Sequence, residues 1–139
     1  ESLAVRMRQH CENGKRVAEY LKQHEKVAWV TYPGLEGDKY YGLAQKYMPK
    51  GTCGVVTFGV KGGREAAEVF MKNLKLAIIA THVADAHTCV LHPASATHRQ
   101  LSDEELLAAG IGPDLIRFSC GIEHPDDIIE DLEQALAAV

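Results

Sequence analysis

The sequence predicts an α/β fold, an α+β sandwich in which a small, mostly antiparallel sheet carries helices on one face. Segments with apolar residues at helical spacing alternate irregularly with short β-branched and aromatic segments. Glycine and proline mark the turns between them. The chain has no G-x-G-x-x-G sequence, no P-loop and no internal repeat. This combination is typical of helices packed on one layer of sheet.

The first half of the sequence predicts two helices around a strand. Apolar residues at helical spacing predict a first helix that ends near His24; they are Leu3, Met7, Gly14, Val17, Ala18 and Leu21. Residues 27–32 are β-branched and aromatic and predict a strand, which Pro33 and Gly34 end in a turn. A short helix is predicted over residues 38–48. Its expected buried side consists of Tyr41, Leu43, Ala44 and Tyr47.

The middle of the sequence predicts three strands and a helix. Residues 54–60 alternate as a strand does, with Val56 and Phe58 on one face and Val55 and Thr57 on the other. A helix follows over residues 64–74. Two short apolar strands are predicted over residues 76–80 and 88–91.

The last third carries specific start and stop signals. Ser102 and Glu105 form a capping-box pattern that begins a helix, and Gly110 ends it. Residues 115–120 predict a strand. Pro125 occupies the first position of a final helix. Its apolar stripe consists of Ile128, Ile129, Leu132, Ala135, Leu136 and Val139.

Composition bounds the class of protein. The 139 residues suffice for one domain with its own core, and 46% hydrophobic and 24% charged residues are ordinary values for a globular domain. A net charge of −4 gives no indication of a nucleic-acid or acidic-membrane partner. No apolar run approaches the roughly 20 residues of a membrane span. Four cysteines without C-x-x-C spacing favour a reducing cytoplasm over a disulfide framework.

Arg117 is the first candidate for chemistry. Strand alternation places Leu115, Arg117 and Ser119 on one face and the apolar Ile116 and Phe118 on the other. A guanidinium among such neighbours needs an anion, and its planar fork matches a carboxylate. Arg117 is therefore a candidate for binding a substrate carboxylate. A solvated strand arginine, or one paired with a structural Asp or Glu, remains the alternative.

Histidines and hydroxyls near residue 90 suggest two weaker hypotheses. Zinc could be bound by His82, His87, His92 and His98 with Cys89 and Asp85, but the histidine spacing fits no common zinc pattern. Polar loop histidines around a cleft are the favoured interpretation. Ser95 and Thr97 lie beside His98, where adjacent positions give poor geometry for a nucleophile. Thr97 is therefore predicted to be a hydrogen-bond donor, and capping of a local turn by Ser95 and Thr97 is the alternative.

Two long motifs resemble one enzyme family. They are H-P-A-S-A-T-H-R-Q-L-S-D-E-E-L and, after three residues, G-I-G-P-D-L-I-R-F-S-C-G-I-E-H-P. With R-M-R-Q-H-C-E-N, V-x-Y-P-G-L and F-G-V-K-G-G-R-E-A-A, they resemble the C-terminal domain of the Cys/Met-metabolism family of pyridoxal-phosphate (PLP) enzymes. H-P-A-S-x-T-H is similar to the O-acetylhomoserine sulfhydrylase branch, because branches that make or cleave cystathionine usually carry methionine before T-H.

The resemblance implies a fold-type-I enzyme that converts O-acetyl-L-homoserine and sulfide to homocysteine and acetate. It implies that Arg117 binds the substrate α-carboxylate and that Thr97 supports the carboxylate or the arginine. Thr81, His82 and Val83 correspond to a loop that lines the substrate. Relatives often have serine or asparagine at the position of His82, so this histidine is a departure that affects the contacts there.

The resemblance also implies a partner domain. PLP and its Schiff-base lysine would belong to an N-terminal domain outside this chain, because no lysine here stands in the required serine- and threonine-rich strand. We therefore expect residues 1–139 to form one C-terminal domain, with residues 1–25 as a linker helix, and the isolated chain to be inactive. An initial Glu1 agrees with a cut inside a longer protein. The family further implies tetramers.

The sequence leaves two other functions open. A cystathionine or methionine γ-lyase or synthase of the same family would share these motifs. A free-standing module could bind an amino-acid carboxylate through Arg117 without any cofactor.

Overall fold

Five strands form one sheet in the computed structural model, which describes all residues from 1 to 139. The strands are β1 (Val27–Thr31), β2 (Val55–Val60), β3 (Ile78–Ile79), β4 (Cys89–Leu91) and β5 (Leu115–Ser119). The helices are α1 (Leu3–Gln23), α2 (Tyr41–Tyr47), α3 (Gly63–Asn73), α4 (Asp103–Ala108) and α5 (Pro125–Ala137). A short 3₁₀ segment, Pro93–Ser95, follows β4.

The sheet has the strand order β1-β2-β5-β4-β3. Three neighbouring pairs are antiparallel, and only β3 and β4 run parallel. The predicted mostly antiparallel sheet is therefore confirmed. The last strand in sequence, β5, lies at the centre of the sheet, where Thr57 of β2 and Leu91 of β4 flank Arg117.

Helices α1, α3 and α5 cover one face of the sheet, as the sequence predicts. The inward side chains of β2 and β5 are fully buried there, and they include Phe58 and Phe118. Phe58 meets Phe70 of α3 edge to face, with ring centroids 5.7 Å apart. The helices add Val17, Leu21, Ala67, Ile128, Leu132 and Leu136 to this core. Because these residues carry the predicted helical spacing, burial of apolar area explains the choice of face.

Helix α1 is part of this core over most of its length. Its buried residues begin at His10, and Gly14 allows close approach to the start of β2. A Cβ at Gly14 would lie 2.7 Å from the Cys53 carbonyl oxygen, so a larger residue would force the two segments apart. No helix combines the length and apolar character that a membrane span requires.

The predicted burial of α2 is wrong. The helix begins at Tyr41 rather than at residue 38, and only Ala44 is buried. The Asp38 carboxylate accepts hydrogen bonds from the backbone N–H groups of Tyr32 and Tyr40, which holds residues 38–40 in a turn. Leu43 and Tyr47 are exposed, because two turns of helix bring only one side against the rest of the chain.

The predicted strand over residues 76–80 is also too long, and Asp131 gives the reason. The buried Asp131 carboxylate accepts hydrogen bonds from the backbone N–H groups of Lys75, Leu76 and Ala77 at 2.8, 3.0 and 2.9 Å. These donors are therefore unavailable to the sheet. Pairing with β4 begins only at Ile78.

The start of α4 confirms the predicted capping box. Ser102 accepts from the Glu105 N–H, and the Glu105 carboxylate accepts from the Ser102 N–H. These bonds lower the pKa of Glu105, chiefly through the backbone N–H of Ser102. Gly110, at φ +76°, ends the segment as predicted.

The capping box predicts an acid-dependent part of stability. Because the Glu105 pKa is lower in the folded state than in the unfolded state, its contribution is complete above the unfolded pKa. It is lost as pH falls through the folded pKa. We expect Glu105→Gln to shrink the difference in Tm between pH 7 and acid. Glu104→Gln, the matched control on the same exposed turn, should leave that difference as in the parent chain; equal effects of both changes would contradict the prediction.

Candidate functional site

The sheet face opposite α1, α3 and α5, called the outer face below, carries the candidate arginine. Leu115, Arg117 and Ser119 point to this face, while Ile116 and Phe118 are fully buried on the other. The predicted alternation is therefore confirmed. Arg117 is half-buried at the middle of the sheet, so the rigid central strand sets its position.

Arg117 binds backbone carbonyls rather than a carboxylate. Its Nη2 donates to the carbonyl oxygens of Thr81 and His82 at 2.8 and 3.2 Å. Every ion pair of the chain lies elsewhere, so no Asp or Glu of these 139 residues is a structural partner of Arg117. Nε is shielded from solvent and unpartnered, and Nη1 makes no hydrogen bond within the chain. The cation is thus held in place without a counter-ion, as an anion site requires.

The two carbonyl oxygens belong to the β3–β4 loop, residues 80–88. Within this loop the Asp85 carboxylate accepts from the His87 N–H at 3.0 Å and lies 3.5 Å from Nδ1 of His82. The His87 hydrogen bond, and to a smaller extent the nearby histidines, lower the pKa of Asp85. The exposed His82 ring therefore lies beside this carboxylate. Thr81 and His82 bind the arginine through their backbone carbonyl oxygens.

Ala84 adopts a left-handed conformation in the same loop, with φ +57°. It is the only residue other than glycine with positive φ in the chain. Its N–H donates to Ser119 Oγ at 3.1 Å, and its carbonyl accepts from Arg6 Nη1 at 3.3 Å. A strained residue held by both of its peptide groups beside a candidate site is typical of functional loops.

We expect Ala84→Gly to stabilise the folded chain by up to about 1 kcal/mol, because glycine adopts positive φ without the penalty that Cβ imposes. Urea unfolding measures the change. Ala86→Gly is the matched control, since Ala86 lies in the same loop at negative φ. That control should destabilise the chain through added unfolded-state entropy. A destabilised Ala84→Gly variant would contradict the strain assigned to this position.

Thr97 lies in the turn after the 3₁₀ segment and does not hydrogen-bond to Arg117. Its exposed hydroxyl instead pairs with Nδ1 of His98 at 2.9 Å. The structure therefore joins Thr81 and His82 to the arginine by hydrogen bonds and shows no such bond for Thr97. The implied support of a substrate carboxylate by Thr97 remains a prediction.

Ser95 pairs with His92 rather than with His98. Nε2 of the buried His92 donates to the Pro113 carbonyl at 2.7 Å, which leaves Nδ1 as an acceptor for the Ser95 hydroxyl at 2.8 Å. The bond ties the two ends of the 3₁₀ segment together. This geometry agrees with the predicted alternative, in which Ser95 caps a local turn.

Neither a metal cluster nor a cofactor lysine adjoins Arg117. No group of three or more His, Cys, Asp or Glu side chains could share a metal ion. The histidines of the zinc hypothesis are dispersed, with His92 buried and His82 exposed on the loop. No lysine belongs to a strand or to the β3–β4 loop. The strands and the β3–β4 loop around Arg117 thus contain no amine that could attach a cofactor covalently.

Sequence reasoning missed Arg6, Ala84 and Ser119 as parts of this site. Alternation already placed Ser119 on the face of Arg117, so its side was predictable although its partner was not. Arg6 reaches Ala84 across 78 positions of sequence. Ala84 gave no signal, because alanine does not indicate positive φ.

Comparisons with known proteins point to one enzyme family. The family model described as "Cys/Met metabolism PLP-dependent enzyme" matches residues 1–137. A homocysteine synthase of Schizosaccharomyces pombe is 48% identical over 136 residues, which are 98% of this chain and 32% of that protein. An L-methionine gamma-lyase of Fusobacterium nucleatum is 42% identical over 139 residues, which are 100% of this chain and 35% of that protein.

A solved structure shows the same fold. A crystal structure from Campylobacter jejuni, described as an O-acetylhomoserine (thiol)-lyase with N'-pyridoxyl-lysine-5'-monophosphate, matches with a TM-score of 0.90 and 39% identity. The match covers 98% of this chain and 32% of that one. The chain thus spans about a third of the length of the proteins it resembles.

Proposed function

The chain belongs to the Cys/Met metabolism family of PLP-dependent enzymes, and we propose that it forms the substrate-side, C-terminal domain of a longer sulfhydrylase of that family. The reaction is the conversion of O-acetyl-L-homoserine and sulfide to homocysteine and acetate. The observation that carries the proposal is Arg117, a cation fixed on the central strand without a counter-ion. The homocysteine synthase and the O-acetylhomoserine lyase among its relatives support the choice of substrate.

In this proposal Arg117 binds the α-carboxylate of the amino acid. Nη2 is occupied by the carbonyl oxygens of Thr81 and His82, so the carboxylate pairs with the Nη1 side of the guanidinium. Fixing the carboxylate restricts rotation of the substrate and so aligns its reacting bonds, an effect of orientation. Thr97 and the His82 side chain lie in segments that border the substrate and adjust its fit.

The cofactor site lies in the part of the longer protein that this chain does not span. PLP supplies an electron sink when it is bound. The lysines of this chain are exposed or, as with Lys26, bound to carbonyl oxygens at the end of α5. They do not fit the role of the attachment lysine. The isolated chain is therefore expected to be inactive, and its N-terminal domain is its first partner. We further expect a cytoplasmic homotetramer.

A γ-lyase is the second candidate, favoured by the 42% identity to an L-methionine gamma-lyase. The carboxylate site is the same for both activities, since both substrates are α-amino acids. The two substrates differ in the group on the γ-carbon, and the two reactions differ in whether an external nucleophile is added. The distinction therefore requires a substrate assay of the full-length enzyme.

The test is product formation by the full-length enzyme. We expect homocysteine and acetate from O-acetyl-L-homoserine with sulfide, and little 2-oxobutanoate from methionine or cystathionine. The reverse preference would select the γ-lyase. An absorbance scan should show the cofactor band in the full-length protein and none in the 139-residue chain. A third outcome would select a cofactor-free binding module. In that case the full-length protein shows neither turnover nor a cofactor band, and the 139-residue chain alone binds an amino acid tightly.

A further inference from the structure

We propose that Arg6 and Ser119 are positioning residues, which act on the substrate carboxylate by fixing the β3–β4 loop that orients Arg117. The inference rests on the proposed function, because it takes Arg117 as the carboxylate-binding group. Neither residue needs to touch the substrate. Their effect passes through Ala84 and the two carbonyl groups that precede it.

The orientation of Arg117 depends on the loop. A guanidinium Nη2 carries two hydrogens, and here they meet the carbonyl oxygens of Thr81 and His82. These bonds set the rotation of the guanidinium plane and leave the Nη1 side for a ligand. No side chain of the chain makes a hydrogen bond to Arg117. A shift of the two carbonyls would therefore leave the end of the arginine free to rotate in solvent.

The position of those carbonyls depends in turn on Ala84. This residue follows His82 by two positions and holds φ +57°, a left-handed conformation that is strained for any residue with a Cβ atom. Such a conformation persists only where surrounding bonds enforce it. Two bonds do so: the Ala84 N–H donates to Ser119 Oγ, and Arg6 donates to the Ala84 carbonyl.

The two anchors belong to rigid elements. Ser119 is buried on β5, two residues from Arg117 and on the same face. The loop, through Ser119, and the arginine are therefore both attached to the same strand. Arg6 extends from α1, whose later turns pack in the core. Loss of either anchor lets the strained peptide relax and moves the carbonyl groups. The expected consequence is weaker carboxylate binding with the chemistry largely preserved.

The experiment measures steady-state kinetics of the full-length enzyme with Ser119→Ala and Arg6→Gln. Each variant should raise KM for the amino-acid substrate about threefold to tenfold, the usual effect of one lost hydrogen bond, with kcat changed by less than about twofold. Arg16→Gln is the matched control, because Arg16 also lies on α1 but pairs with Asp126 at the surface. It should leave KM unchanged.

Inhibition separates positioning from a general structural effect. The variants should weaken inhibition by an unreactive L-amino acid about threefold to tenfold. They should not alter inhibition by the matched amine that lacks the carboxylate. If both inhibitors weaken equally, the residues act on the fold rather than on the arginine, and the inference is wrong.

A double-mutant cycle tests the route through Arg117. In an Arg117→Ala background, Ser119→Ala and Arg6→Gln should change KM no further, because their target is gone. The same fold-change in both backgrounds would overturn the inference while leaving the proposed function intact. Should Arg117→Ala itself leave carboxylate binding unchanged, the proposed function fails instead. Arg6→Gln keeps the test available if Ser119→Ala does not fold, since Arg6 lies at the surface end of α1.

Discussion

Replacement of Arg117 by alanine in the full-length enzyme should lower kcat/KM for the amino-acid substrate about a hundredfold or more. The change removes a charge-assisted hydrogen-bonded pair and leaves the substrate carboxylate unpaired, which typically costs about 2–5 kcal/mol. Most of the loss should appear in KM, and turnover should fall as well because the substrate is less well oriented. Initial rates over a range of substrate concentration give both constants.

Two further variants sharpen this result. Arg117→Lys keeps the charge but not the planar fork, so its kcat/KM should lie between those of the parent and the alanine variant. Arg16→Ala removes a surface arginine that pairs with Asp126, and its kinetics should match the parent. Normal kinetics for Arg117→Ala would show that the carboxylate binds elsewhere.

Asp131→Ala should be the most destabilising single change at a polar residue of the chain, by about 3 kcal/mol or more. The Asp131 side chain is almost fully buried and accepts hydrogen bonds from three backbone N–H groups in the segment between α3 and β3. A buried donor left without an acceptor costs about 1–3 kcal/mol. The Ala77 N–H is buried, and those of Lys75 and Leu76 are partly buried and add smaller costs. Urea unfolding of the 139-residue chain measures the loss.

The matched controls for Asp131 lie on the same helix. Glu130→Ala removes an exposed carboxylate one position earlier and should change the free energy of unfolding by no more than about 0.5 kcal/mol. Asp131→Asn keeps one acceptor oxygen, so its loss in the free energy of unfolding should lie between those of Asp131→Ala and Glu130→Ala. Should Asp131→Ala and Glu130→Ala prove equally mild, the three backbone bonds contribute little, and the late start of the β3 pairing at Ile78 needs another cause.

Much of this fold was predictable because local periodicity and tertiary burial agree. The alternation of residues 55–58 and 115–119 gave the correct faces of β2 and β5, and hence the outer-face position of Arg117. The capping box at Ser102 and the proline at the start of α5 were also confirmed. In each case the residues that carry the signal are those that make the contact.

Prediction failed where a distant group decides the local structure. The strand at residues 76–80 is shortened by Asp131, which lies more than fifty positions away. The apolar side of α2 is exposed although its spacing is that of a buried helix face. At the site, Arg117 is oriented by main-chain carbonyls of Thr81 and His82, which no side-chain pattern can indicate. Resemblance and alternation found the arginine, and only the structure gave its partners.

A crystal structure of the full-length enzyme with a bound amino-acid ligand tests the central claim most directly. The ligand carboxylate should lie about 2.7–2.9 Å from Arg117 Nη1, while Nη2 keeps its bonds to the carbonyl oxygens of Thr81 and His82. A carboxylate bound away from Arg117, or an Arg117 side chain paired with an acidic residue of the enzyme itself, would contradict the claim.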